Sequence, residues 1–246
     1  MKAVILGATK GMGRAVARAL VERGDEVFLL GRDGADLATS AKDLEQRGKA
    51  QRPVGYADCD LERPEGFAAA LDAAELGLPA YDAVLVVAGA FATQAALEDD
   101  PALTRRLLTV NFVGTLLFCE EARKRLLARG GGTLCVWSSV AGERGRKPVI
   151  LYGASKAGLS AYLDGLDHKF RAQGLRTITV KPGFVKTSAT AGLKPPPFAG
   201  EPEGVAKDVL RALDAGKPVL YTPGMWALVM FVIRLLPRFV MRRIGF

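Results

Sequence analysis

Ala3-Val4-Ile5-Leu6-Gly7-Ala8-Thr9-Lys10-Gly11-Met12-Gly13 decides how the rest of the chain is read. Four apolar residues form a strand that starts almost at Met1, and the glycines that follow lead into a helix expected from about Arg14. Glycine permits a tight turn and a close backbone approach, so amides at the start of that helix can face a pyrophosphate. A glycine loop alone also fits an ordinary strand-to-helix turn. Its place after the first strand of a βαβ unit favours phosphate binding by residues 7–13.

Further apolar runs lie at residues 27–30, 83–88, 133–137, 177–180 and 219–221, with a weaker one at 54–57. Segments of helical length rich in Ala and Leu separate them. Strands apolar on both faces and alternating with helices predict an α/β fold, a doubly wound parallel sheet of seven strands covered on both sides. In such a sheet ligands bind beyond the carboxyl ends of the strands, so the residues just after each strand carry the functional reading. Lys194-Pro195-Pro196-Pro197 marks a long loop after the sixth strand.

Composition narrows the classes. The chain of 246 residues is 49% hydrophobic and 24% charged, a globular balance. Its three cysteines, Cys59, Cys119 and Cys135, form no CxxC pair and its one histidine is His168, so neither a zinc site nor a disulfide framework is expected. Cys135 is expected in the core and His168 on the surface. The first apolar stretch is too short for a signal peptide, and a reducing, cytoplasmic setting is expected.

The second strand ends Leu30-Gly31-Arg32. Sites that select NAD place an acidic side chain here for the ribose hydroxyls. Gly31 offers none, whereas Arg32 and Lys10 are cations suited to a 2′-phosphate. NADPH is therefore predicted over NADH, against the alternative that both residues are merely exposed. Asp60, after the third strand, can accept a bond from the adenine amine or cap the next helix.

Ser138-Ser139 ends the fifth strand, Tyr152 follows Ser139 by thirteen residues, and Lys156 follows Tyr152 by four. Residues four apart share a helix face. A tyrosine titrates near pH ~10, and a neighbouring ammonium with a positive nicotinamide stabilises its phenolate. Ser139 can hold a carbonyl oxygen. Taken alone, Tyr-x-x-x-Lys is equally an amphipathic surface pair. Asn111 lies inside the otherwise helical segment 101–129, where asparagine competes for backbone bonds. It is read as the mark of a local kink with an ordered water beside Lys156, or else as a tolerated polar residue.

Together these residues resemble the short-chain dehydrogenases/reductases over nearly the whole chain: Gly7-x-x-x-Gly11-x-Gly13, Asp60-Leu61, Ala88-Gly89, Asn111, Ser139, Tyr152-x-x-x-Lys156 and Pro182-Gly183. The resemblance implies a Rossmann fold and catalysis by Asn111, Ser139, Tyr152 and Lys156. Tyr152 would be the acid–base, Lys156 would also bind the nicotinamide ribose, and Asn111 would relay protons. It implies a cofactor site drawn from Gly7, Thr9, Lys10, Gly11, Met12, Gly13, Arg32, Asp60, Leu61, Ala88, Gly89, Tyr152, Lys156, Pro182, Gly183, Val185 and Thr187, with Thr187 on the nicotinamide carboxamide. A homodimer or homotetramer through the helices of Asn111 and Tyr152 is also implied. Leu6 stands where the family has threonine, and Val86-Val87-Ala88-Gly89 where it has Asn-Asn-Ala-Gly, departures that bear on the adenosine side.

Residues 1–223 are expected to form the cofactor-binding domain and 224–246 an amphipathic helical tail. From Ala215 onward there is no acidic residue but five basic ones, part of a net charge of +8. A spanning helix needs roughly 20 apolar residues, and the run 225–233 has nine. Arg234, Arg238 and Arg242 would share one face of a helix that Pro237 can bend. An apolar surface with a basic stripe suits a helix in the membrane interface. The alternative is a tail packed on a partner subunit or across the substrate cleft. Nucleic acid fits poorly, because the basic residues are interleaved with large aliphatics.

The tail, Ser138-Ser139-Val140-Ala141-Gly142-Glu143-Arg144-Gly145-Arg146 and the residues around Tyr152 are similar to the decaprenylphosphoryl-2-keto-ribose reductases. That implies a lipid-linked keto-sugar substrate. Arg144, Arg146 and Lys147 can then meet a substrate phosphate or form a solvated loop. The leading expectation is a carbonyl reductase acting on an apolar or lipid-linked substrate. The alternatives are a soluble reductase of small ketones, sugars or acyl groups, and a cofactor-binding regulatory protein with vestigial catalysis.

Overall fold

The computed structural model describes residues 1–48 and 52–245. Strands β1 (Lys2–Leu6), β2 (Glu26–Gly31), β3 (Gly55–Asp58), β4 (Ala83–Val86), β5 (Gly132–Trp137), β6 (Leu175–Pro182) and β7 (Val219–Thr222) form one sheet in the order β3-β2-β1-β4-β5-β6-β7. Every pairing is parallel, with Leu6 beside Leu30 on one side and Val86 on the other. The seven expected strands are all present. The order reverses between β1 and β4, so a crevice opens beyond the ends of those two strands.

Ten α-helices are described: α1 (Gly11–Arg23), α2 (Gly34–Arg47), α3 (Phe67–Gly77), α4 (Gln94–Asp99), α5 (Pro101–Leu108), α6 (Thr115–Ala128), α7 (Ile150–Phe170), α8 (Pro202–Ala215), α9 (Met225–Leu235) and α10 (Arg238–Arg243). Successive strand residues point to opposite faces, and β1 shows the consequence. Ala3 and Ile5 join a core with Val16 and Leu20 of α1, Leu37 of α2 and Val209 of α8. Val4 and Leu6 join a second core with Leu71 of α3, Phe118 of α6 and Leu159 of α7. Each face of the sheet is thus covered, which is why the strands read as apolar runs rather than alternating ones. The three cysteines are buried and free, and His168 is exposed at the surface.

Two local expectations are corrected, the start of α1 and the single tail helix. Helix α1 begins at Gly11 rather than near Arg14, so two of the loop glycines lie within its first turn. Segment 101–129 contains a π-helical stretch, Thr109–Gly114, between α5 and α6. By composition Pro101–Ala128 could cross a membrane, but Phe118, Cys119, Ala122 and Leu126 are fully buried in the protein. The tail is two helices, not one. Proline cannot donate the helical N–H, and α9 stops two residues before Pro237, with α10 starting just after it. Arg234 and Arg238 therefore do not share a continuous helical face.

Candidate active site

The glycine loop is shaped by two close approaches. Gly7 has φ 95°, and a Cβ there would lie 2.5 Å from the Ala88 nitrogen, while one at Gly13 would collide with the Gly7 carbonyl. No residue with a side chain fits either position. Arg14 Nε donates to the Thr9 carbonyl at 2.7 Å and steadies the turn. The loop forms one wall of a cleft of about 580 Å³, within the range of small-molecule sites.

Gly7, Thr9, Lys10, Gly11, Met12, Gly13, Arg32, Asp60, Leu61, Ala88, Gly89 and Thr187 all line this cleft, so the structure brings together most of the expected cofactor residues. Their chemistry fits a dinucleotide: backbone amides at a helix start for a pyrophosphate, and cations at one rim. The cations differ in availability. Lys10 pairs with Asp36 at 2.7 Å and Arg106 with Glu62 at 3.0 Å. Arg32 is exposed and has no ion-pair partner among the described residues. Asp60 accepts from the Glu62 amide at 3.0 Å, so one oxygen caps the following turn while the residue borders the cleft.

Tyr152, Lys156, Pro182, Gly183 and Val185, also expected at the cofactor, do not line the cleft. The Pro182 carbonyl lies 3.5 Å from Ser139 Oγ, Val185 is buried, and a Cβ on Gly183 would collide with the indole of Trp226.

The second constellation sits where β5, β6 and α7 meet. The two serines that end β5 do different work. Ser138 Oγ donates to the Lys156 carbonyl at 3.0 Å and lies 2.7 Å from Ser160 Oγ, bracing α7 against the sheet. Ser139 faces the other way. Its Oγ accepts from the Ala141 amide at 3.1 Å. Gly142 and Gly153 allow this turn to lie against the start of α7, since a Cβ at either would meet backbone within 2.8 Å.

Burial pushes the Tyr152 phenol above its ordinary value, and the neighbouring Ser139 hydroxyl pulls part of that back. Burial pushes the Lys156 ammonium down to about 8. Lys156 Nζ donates to the Trp137 carbonyl at 2.8 Å. The protein's own groups thus leave the phenol above its ordinary value.

Asn111 is fully buried at the centre of the π-helical stretch, as its place mid-helix led us to expect of a kink. Its amide is engaged at both ends: Oδ1 accepts from the Ala90 nitrogen at 2.7 Å and Nδ2 donates to the Ala90 carbonyl at 2.8 Å. It thus pins the loop after β4. A Cβ on Gly89 would lie 3.2 Å from Asn111 Oδ1 and 3.6 Å from Lys156 Nζ, so Gly89 is the point where these groups converge with the cleft.

Other residues at the site were not anticipated. Phe91 packs edge-on against the Tyr152 ring, with centroids 5.2 Å apart. Glu143, four residues after Ser139, is nearly buried and binds Lys181 of β6 at 2.5 Å and Arg234 of α9 at 3.0 Å. Burial alone would raise its carboxyl, but the bonds from Lys181 and Arg234 hold it below its usual value. Arg144 donates to the Leu236 carbonyl at 2.9 Å and Lys147 to the Arg242 carbonyl at 2.7 Å. Two of the three basic residues considered for a substrate phosphate are therefore spent at the ends of the tail helices, where cations complement the helix dipole. Arg146, the third of them, keeps a buried Nε without a hydrogen-bond partner among the described residues.

Residues 1–196 match the family model described as short chain dehydrogenase. An uncharacterized oxidoreductase of Mycobacterium tuberculosis is 36% identical over 242 residues, covering 98% of this chain and 95% of the relative. Carbonyl reductase family member 4 of Danio rerio is 28% identical over 221 residues, covering 87% and 91%. A short-chain type dehydrogenase/reductase from Mycobacterium ulcerans superposes with a TM-score of 0.81 at 24% identity, covering 90% and 87% of the two chains. The actinorhodin polyketide ketoreductase, in a structure with NADPH, gives 0.80 at 23% identity, covering 90% and 95%. With the glycine cleft and the Ser139–Tyr152–Lys156 cluster in one sheet, this chain belongs to the short chain dehydrogenase family of oxidoreductases, which work with nicotinamide cofactors.

Proposed function

We propose that this protein reduces a carbonyl to an alcohol with NADPH. The observation that carries the reading is that the start of α7 presents Tyr152 and, one turn on, Lys156, whose Nζ approaches Gly89 of the cleft, with the Ser139 hydroxyl near enough to act on the Tyr152 phenol. Bound in that cleft, NADPH supplies a hydride to the carbonyl carbon. Ser139 holds the carbonyl oxygen, Tyr152 gives that oxygen its proton, and the Lys156 ammonium stabilises the phenolate left behind. Asn111 keeps the loop at Ala90 in place rather than handling the proton itself. The preference for the phosphorylated cofactor rests on Arg32, the cation free to pair with a 2′-phosphate.

The substrate is proposed to be apolar, with a lipid-linked keto-sugar as first candidate by the resemblance of the serine segment and tail. A small soluble ketone is the second reading, favoured by the relation to a carbonyl reductase. An NADPH-consumption screen across polyprenyl-linked keto-sugars, acyl ketones and small carbonyls tests both, and oxidation of NADPH by none of them defeats the reading. Tyr152→Phe should slow turnover by roughly 10²–10⁴-fold with unchanged cofactor affinity. A variant that kept its biological role would instead favour a regulatory protein. Free, buried cysteines suit a reducing, cytoplasmic setting. The exposed Val113 and Leu117 support self-association through the helix of Asn111.

A further inference from the structure

The inner face of α9 is committed to the body of the protein. Met230 and Ile233 are buried with Val140, the residue after Ser139, and Trp226 lies against Gly183, just beyond β6. Arg234 locks onto Glu143, while Arg144 and Lys147 hold the carbonyls at the ends of α9 and α10. The helix therefore sits over the carboxyl ends of β5, β6 and β7, on the substrate side, and cannot roll to bury its other face.

That other face is apolar. Met225, Leu228, Phe231, Val232, Leu235 and Phe239 are between 46% and 69% exposed. Met225, Leu228, Phe231, Val232 and Leu235 recur along one outer face of α9, and Phe239 of α10 is exposed just beyond the break, a larger apolar area than the isolated exposed side chains normal on a protein surface. Arg238, Arg242 and Arg243 are exposed at its far end, and no acidic residue follows Asp214 to neutralise them.

We propose that the outer face of α9 and α10 docks on an anionic lipid surface and brings the mouth of the site to that surface. Apolar side chains enter the headgroup boundary while the arginines meet lipid phosphates, the combination that holds an interfacial helix. Charge is what selects this occupant over a second copy of the chain. A second copy would add the same exposed Arg238, Arg242 and Arg243 to the contact and no acidic side chain from its tail to pair with them.

The test is flotation of the full-length protein with vesicles of phosphatidylcholine alone or mixed equally with phosphatidylglycerol. Binding is expected to the mixed vesicles, weakened by salt. Replacing Arg238 and Arg242 by Gln should lower the partition coefficient roughly 25-fold, from the contribution of each cation near an anionic surface. Phe231→Ser with Leu235→Ser should abolish flotation and leave the reductase rate on a water-soluble carbonyl unchanged. No flotation of the parent, equal binding to neutral vesicles, or variants that float like the parent would each overturn the proposal. So would a fall from dimer to monomer in the Ser variant with flotation retained, which would assign the face to a second copy. Flotation is read without turnover, so its outcome stands apart from that of the substrate screen.

Discussion

Lys156→Met should make the cofactor-free protein more stable while abolishing its reductase activity. Lys156 is 4% exposed, and burial lowers its amine from 10.5 to about 8. The unfolded chain keeps that proton up to pH 10.5, whereas the folded chain releases it near 8. Folding is therefore penalised below pH 8, and the penalty fades as pH rises toward the unfolded value. At pH 7 it amounts to about 3 kcal/mol. Methionine fills a similar volume without charge, but it gives up the bond to the Trp137 carbonyl, which costs ~1 kcal/mol. The net gain is about 2 kcal/mol at pH 7 and close to zero by pH ~10, where the parent's own penalty has mostly gone. Urea titrations of both proteins at the two pH values measure it, with an expected midpoint shift at pH 7 of about 1 M or less for a typical slope. A variant less stable than the parent at pH 7, or a difference that does not change with pH, would refute the reasoning.

Gly13→Ala should abolish NADPH binding, read by nucleotide fluorescence, because its Cβ would force the Gly7 carbonyl out of the cleft wall. Arg32→Asp should lower the ratio of kcat/KM for NADPH over NADH by roughly 10–100-fold, the loss of a charge-assisted phosphate contact. Glu143→Gln should destabilise the fold by about 3 kcal/mol, because Lys181 is left buried without its counter-charge. The Glu143 carboxyl lies below its ordinary value, so its contribution is present above the usual carboxylate range and is lost as pH falls through the folded value. The gap between parent and variant in acid unfolding should narrow accordingly.

The sheet was legible because parallel strands buried on both faces have little choice but to be apolar. The spacing from Ser139 to Tyr152 to Lys156 was legible because each lies at the end or start of one element, where sequence distance converts directly to geometry. Helix α1 was placed late because glycine reads as loop even when Gly11 and Gly13 are helical. Glu143, Lys181 and Arg234 come from three separate segments, and no local pattern announces that they meet. Lys181, a cation directly after the buried run 177–180 of β6, was the one trace of it. The partners of Arg144 and Lys147 are backbone carbonyls, which carry no sequence signature. Phe91 follows Gly89 by two residues, but its spacing carries no sign that it meets the Tyr152 ring.

The π-helical stretch at Asn111 also sets the phase of the long helix around it. An α-helix turns about 100° per residue, so in an unbroken one Leu107 and Leu126 would face directions about 100° apart. Both are buried, and the wider turn at Thr109–Gly114 absorbs the difference. Leu103, Leu107 and Val110 can therefore wall the cleft while Phe118, Ala122 and Leu126 cap the sheet. Deleting one residue from this stretch would straighten the helix and rotate one of those two faces into solvent, so cofactor wall and core are coupled through a single residue's worth of rotation.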